Sequence, residues 1–404
     1  MLFYYFDNHI SLLPNHGYAP TVVVNAIGPI CALAYAVTAT MAVWEMGRLK
    51  EGRVWDSPIV RTRLRVAINA GVPILLVSGL MLALPAALAF VQTGVRPTVS
   101  SLVLLGQQLL ICVAYIAIGY GVGFWTPRLI SAPILGGLVY YFVAFSVAGY
   151  SYAWRHLVGY FFEPLMFGEL PTRNALLAPL VLIGAVAVAS TLIWISPRHL
   201  MLRCCVAAGI AVAGVPAAYS MVQSWGASTP VVTGAAPVVC TGKSPEVCMP
   251  EISAAKLDFV HTQAVSVARE LKVAGISETP RLITDRLSDG RHQRSSTDAV
   301  WRAQLTAGVT RGDVRYQIAL SSLHFPCAGP DQVIVHTASL WVATTAGEGP
   351  AYEKLLDRWA ARADSNAAAV AEIKKQAREA RAESRDKQQA WYEKLLADAC
   401  EEAP

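Results

Sequence analysis

The stretch Val99–Trp125 reads Val-Ser-Ser-Leu-Val-Leu-Leu-Gly-Gln-Gln-Leu-Leu-Ile-Cys-Val-Ala-Tyr-Ile-Ala-Ile-Gly-Tyr-Gly-Val-Gly-Phe-Trp and contains no charged residue. A helix needs about 20 apolar residues to cross about 30 Å of hydrocarbon, where only a helix or a closed barrel satisfies its own backbone. Similar runs flank this one at 21–44, 66–91, 129–154, 175–195 and 204–222. One such run alone is compatible with the buried helix of a soluble protein. A succession of six with short polar breaks is not, and six transmembrane helices are expected. The composition agrees, because 54% hydrophobic with 15% charged residues is too apolar for soluble globules. The long uncharged runs lie before Gln223 and most acidic residues after it, which divides the chain into a transmembrane helical bundle at 1–222, a linker at 223–239 and a soluble domain at 240–404. The net charge of +5 follows the loops between the apolar runs and is no nucleic-acid footprint.

Lys and Arg in short loops are retained on the cytoplasmic side. The first loop carries Arg48, Lys50, Arg53, Arg61, Arg63 and Arg65, whereas the tail before the first span has neither residue. The tail is therefore expected outside and this loop inside. Six crossings then place the soluble domain outside, making it extracytoplasmic on a multi-pass protein of the cell membrane. Met1-Leu2-Phe3-Tyr4-Tyr5-Phe6 reads as the interfacial end of a further span, so an upstream helix is expected, and the basic flank of a secretory signal is absent.

Ionisable side chains are scarce within the runs, and those that conduct ions or protons normally face a bundle interior. Glu45, Gln107 and Gln108 are the polar candidates. Glu45 reads most simply as an interfacial carboxylate paired with Arg48 one turn on. Gly119, Gly121 and Gly123 read as positions of close helix approach, since no strand precedes them to form a phosphate cradle. Pro73, Pro85, Pro133 and Pro179 suggest kinked or re-entrant helices.

Beyond the Gly, Ser, Thr, Ala and Pro-rich linker, Cys240, Cys248, Cys327 and Cys400 lie where oxidation is permitted. Three pairings are open; the favoured one joins Cys240 to Cys248 in a tight loop and ties the last helix to the core through Cys327 and Cys400. A metal site is the alternative, disfavoured by the absence of Cys-x-x-Cys and of any His at ligand spacing. Helical periodicity is expected at 252–273 and over most of 353–399, with extended segments near 280–284, 315–321 and 333–342. A small, helix-rich α+β domain follows. The charged stretch 374–387 reads as a solvated helix face rather than a partner surface.

His-Glu-x-x-His, Gly-x-Ser-x-Gly and Walker sequences are all absent, so no catalytic residue and no cofactor are assigned and a non-enzymatic role is expected. Asp285, Asp289, His292 and Asp298 cluster with Arg286, Arg291 and Arg294, a group that reads as a polar loop before it reads as a ligand site. His261 and His324 read as structural.

Trp44-Glu45-Met46-Gly47-Arg48-Leu49, then Gly52-Arg53-Val54-Trp55-Asp56-Ser57-Pro58 and Val60-Arg61-Thr62-Arg63-Leu64-Arg65, resemble a segment of an actinobacterial family of ABC-transporter-associated membrane proteins. Val239-Cys240, Val247-Cys248-Met249-Pro250-Glu251 and the segment 275–280 resemble the same family. Some of its members are ABC-2-type permeases, which implies a cytoplasmic ABC ATPase as partner. The resemblance gives Arg48, Arg53, Trp55, Asp56 and Arg61 the role of an ATPase-coupling loop, against the plainer reading of positive-inside retention and contact with anionic membrane lipid. The leading expectation is the membrane subunit of an ABC-type exporter, alone or in an oligomer with another membrane subunit. The other is a membrane-anchored extracytoplasmic binding, sensing or assembly protein.

Overall fold

The computed structural model describes residues 17–55, 62–148, 152–159, 165–195, 200–276, 279–325, 327, 329–362 and 364–400. Two compact units divide the chain, Met1–Val232 and Thr233–Pro404.

Among the described residues of the first unit five helices are long and apolar enough to cross a membrane: α1 (Ala19–Glu51), α2 (Arg63–Thr93), α3 (Val99–Trp125), α6 (Arg173–Trp194) and α7 (Leu200–Val222). The expected run at 129–154 differs. It forms α4 (Arg128–Ala144), a 3-10 turn (Phe145–Val147) and, after undescribed residues, the short α5 (Tyr152–Leu157). At Ser146 the hydroxyl donates back to the Val143 carbonyl, a local bond that competes with the helical ladder. Pro73, Pro85, Pro133 and Pro179 each lie inside an unbroken helix.

Helix α1 is the axis of the bundle and packs against α2, α3 and α4. Small residues let backbones meet: a Cβ on Gly119 would stand 2.8 Å from the Ala39 carbonyl, and one on Gly123 2.5 Å from that of Val43. One end of α1 lies beside residues 165–169, where the Tyr18 hydroxyl reaches the Glu169 carbonyl and Thr21 that of Leu165. At the same end β1 (Leu170–Pro171) pairs antiparallel with β2 (Val231–Val232). The first part of the presumed linker is thus fastened to the bundle: Gly226 and Ala227 accept bonds from His156 and Arg155, and Pro230 from the Thr172 N–H. At the opposite end of α1, Glu51 pairs with Arg128 at 2.6 Å, and the Arg128 guanidinium lies 4.8 Å from the Trp44 ring.

The second unit has a four-stranded sheet in the order β3 (Val238–Thr241), β4 (Glu246–Pro250), β5 (Leu282–Asp285), β6 (Val300–Ala303). The first pair is antiparallel, the other two parallel. Between β4 and β5 run a 3-10 turn (Glu251–Lys256) and α8 (Leu257–Val273), whose apolar stripe Val260, Ala264, Val267 and Leu271 is buried. Helices α9 (Leu305–Arg311), α10 (Val314–Ser321), α11 (Gln332–Thr345), α12 (Gly349–Ala360), α13 (Asp364–Ala382) and α14 (Arg385–Asp398) complete it. Two expected extended segments are helical: 315–321 is α10 and 333–342 lies in α11. Val333, Ile334 and Val335 are strand-favouring by composition, but Asp331 caps the helix by accepting the Ile334 N–H at 2.9 Å. Disulfides join Cys240 to Cys248, which sit opposite each other on β3 and β4, and Cys327 to Cys400.

Candidate functional site

In the first unit the basic loop is built around Trp55. Its ring packs 6.5 Å from Phe124 and 6.3 Å from Trp194, and the Arg63 guanidinium lies 6.0 Å over it while Arg63 donates to the Trp194 carbonyl. Trp55 is therefore an anchor rather than a side chain offered to a partner. Arg48 is exposed and pairs with Glu45 at 2.7 Å. Arg53 adopts φ 52° in the left-handed turn that ends α1, where the Val54 N–H donates to the Leu49 carbonyl. Asp56 and Arg61 lie outside the described residues. Deeper in the bundle the polar groups largely meet one another: Tyr35 donates to Gln108, Thr38 and Ser78 share a bond of 2.6 Å, and Gln107 donates to the Leu176 carbonyl. A void of about 10 Å³ beside Gln107, His156 and Thr229 is the size of one water.

The second unit holds a cavity of about 420 Å³ at the carboxyl edge of β5 and β6. In sheets with parallel strands that edge is the usual place for ligands, because the chain opens there into loops and helix starts. Arg286 follows β5, Arg302 lies in β6 and Gln304 between β6 and α9, and Gln317 and Leu320 come from α10. Leu323, His324, Phe325 and the disulfide-bonded Cys327 close the other side.

Asp285 positions this edge. It is buried, and its two oxygens accept the N–H groups of Leu287 at 3.0 Å and Thr306 at 2.7 Å, stitching the end of β5 to the start of α9. Burial raises its carboxyl above the usual range, and these bonds pull it back. Asp289 pairs with Arg302 at 2.6 Å, and His324 stands 3.2 Å from Asp298. Arg286 lines the cavity with its Nε enclosed and without a hydrogen-bond or ion-pair partner among the described residues.

Of the polar loop noted in the sequence, Arg286 reaches the cavity wall while Asp285 and Asp289 act behind it. Arg302, Gln304, Gln317 and His324 join it from more distant sequence. Reading 315–321 as a strand hid Gln317, and the signal for Arg302 was its place at the end of a strand that buries Trp301. Cys240, Glu246 and Cys248 are close enough to suggest a metal, but the bond between the two sulfurs consumes the thiolates a metal would need. A second, shallower groove of about 390 Å³ includes Arg269, Arg381 and Arg385.

Residues 247–399 match the model of a family described as a domain of unknown function, DUF7224. That span runs from β4 to just past α14 and includes the whole cavity wall. No curated protein and no solved structure matches the chain.

Proposed function

We propose that this protein is a membrane-anchored binding or sensing protein, whose bundle crosses the bilayer six times and whose disulfide-tied domain receives a ligand outside the cell. The observation that carries the reading is the half-enclosed polar cavity of the second unit with its unpaired Arg286. Two features support the sixth crossing by α4. Its first residue, Arg128, sits with Glu51 at one end of α1, and its later residue Val139 packs in one cluster with Val23 and Val24 of the other. The segments at 165–172 and 226–232 meet the bundle at the Tyr18 end, so an even number of crossings separates them from it. An outer location also suits two disulfides. The bundle offers close backbone packing along its axis, a feature of an anchor rather than of a path.

The test is labelling on intact cells after a membrane-impermeant reductant. Cys240, Cys248, Cys327 and Cys400 react from outside if the reading holds; reaction only after lysis overturns it.

A second reading, the membrane subunit of an ABC-type exporter, is favoured by one observation. The basic loop is clamped by Trp55 and by the Glu51–Arg128 pair, so Arg48, Lys50 and Arg53 project from a fixed base, as a docking surface for a cytoplasmic ATPase requires. Co-purification of an ATPase that is lost on changing Arg48 and Arg53 to Ala would move the assignment to this reading.

A further inference from the structure

We propose that the cavity at the carboxyl edge of β5 and β6 binds a small organic anion, whose carboxylate or phosphate head is met by Arg286 and whose body lies against Leu320, Leu323 and Phe325. The proposal rests on reading the second unit as the receiving part of the protein and names the class of ligand it takes.

Charge decides the class. A guanidinium stays protonated at any physiological pH and offers five donors, and a donor enclosed without an acceptor costs free energy. The cavity has two arginines, and they differ. Arg302 is neutralised by Asp289 at 2.6 Å, and its backbone N–H is bonded to Ser296. The Arg286 side chain has no hydrogen-bond or ion-pair partner among the described residues, and its Nε is enclosed by protein. The acid next to it in sequence, Asp285, is turned to the N–H groups of Leu287 and Thr306. Of the other acids beside the wall, Asp298 stands against His324 and is largely exposed, and Asp313 accepts from Gln317 and pairs with Arg311. Among the described residues no carboxylate lines the wall to hold a cation, and the surplus positive charge of the cavity belongs to Arg286.

Size and lining narrow the ligand further. A volume of about 420 Å³ is that of a small-molecule site. Leu320, Leu323 and Phe325 supply apolar surface for a hydrocarbon or aromatic body, while Gln304 and Ser295 add uncharged polar groups. A planar fork that donates to two oxygens at once suits a carboxylate or a phosphate equally.

The experiment measures calorimetric binding of benzoate, phenyl phosphate and the neutral isostere benzamide to the full-length protein in detergent. Binding of at least one anion about tenfold or more tighter than benzamide is expected, with about tenfold loss in Arg286→Gln and a smaller loss in Arg286→Lys, which keeps the charge but not the fork. Arg385→Gln, in the shallower groove, leaves affinity unchanged. Correct folding of the variants is checked by unchanged melting and intact disulfides. Equal binding of benzamide, full anion affinity in Arg286→Gln, or no anion binding at concentrations on the order of millimolar overturns the proposal. Purified protein binds whichever way its domain faced in the cell, so this result and the labelling result stand or fall separately.

Discussion

Where α1 meets α3 in the bundle, the residues in contact are Gly119, Gly123, Ala39 and Val43; at the centre of the C-terminal unit they are Trp301, Trp341, Leu271 and Ile283. At this crossing the bundle uses its smallest residues, although Tyr35, Leu82 and Ile111 are buried elsewhere in it, whereas the C-terminal core is centred on large ones. The solvent explains the difference. In water, burying a large side chain releases it from an unfavourable environment, so size contributes directly to stability. Between helices in hydrocarbon that gain vanishes, and close backbone approach over small residues takes its place. Accordingly Leu76, Leu80 and Ile68 of α2 stay exposed on the bundle surface, where lipid is an adequate partner.

Opposite substitutions should therefore damage the two units. The largest effect is expected for Trp301→Ala, at about 3–5 kcal/mol in the unfolding of the C-terminal unit, measured by denaturant titration with domain-specific proteolysis as readout. A cost below about 1 kcal/mol would mean that this core is not held by large side chains. Next is the double change of Cys327 and Cys400 to Ser. It opens a link across a sequence separation of 73, against 8 for Cys240 and Cys248, and chain entropy puts the losses near roughly 4 and roughly 2.5 kcal/mol. Equal losses would show that the longer link does not restrict the unfolded chain.

In the bundle the sign reverses. Gly123→Leu adds atoms against the Val43 backbone and is expected to cost about 1–3 kcal/mol, read as lowered melting of the full chain in detergent. Leu76→Ala on the outer face of α2 should change it by less than about 0.5 kcal/mol. A larger effect at Leu76 would point to a protein partner on that face, which sharpens the comparison by separating lipid contact from subunit contact.

The same physics governs what was legible in the sequence. Uncharged runs such as Val99–Trp125 announce themselves, because lipid forbids polar groups across a whole helix, and the close approach at Gly119 and Gly123 followed from their place inside such a run. The run at 129–154 overstated α4, since hydropathy does not register the Ser146 hydroxyl that turns back on its own chain. In the C-terminal unit extended segments were expected at 315–321 and 333–342, and both are helical, the second capped by Asp331. The cavity was least legible. Arg286 stood out only as one of several charges in a loop, because its meaning depends on Asp289 being taken by Arg302, a pairing that no local spacing encodes. At Trp55 the sequence shows an aromatic residue between basic ones, and no local spacing encodes its packing against Phe124 and Trp194.

A further expected effect concerns protons. His336 on α11 stacks on Trp359 with centroids 4.7 Å apart, and its Nδ1 lies 2.6 Å from the Tyr352 hydroxyl. Burial lowers its pKa and pushes the Tyr352 phenol up to about 12, so both groups are neutral in the folded domain at neutral pH. In the unfolded chain His336 titrates near the ordinary value of about 6.5. Above that value neither state is protonated and the stability is full. As pH falls below it the unfolded chain takes up the proton first, and stability is lost until the lower folded pKa is passed. The slope within that window is at most about 1.4 kcal/mol per pH unit for one group. Denaturant titration of wild type and His336→Gln between about pH 7.5 and about pH 5 isolates the contribution, because Gln has no charge to gain. The difference between the two proteins should narrow toward the acid end; a constant difference would mean that His336 is protonated as readily inside the fold as outside it, and that the packing around Trp359 is wetter than that of the Trp301 core.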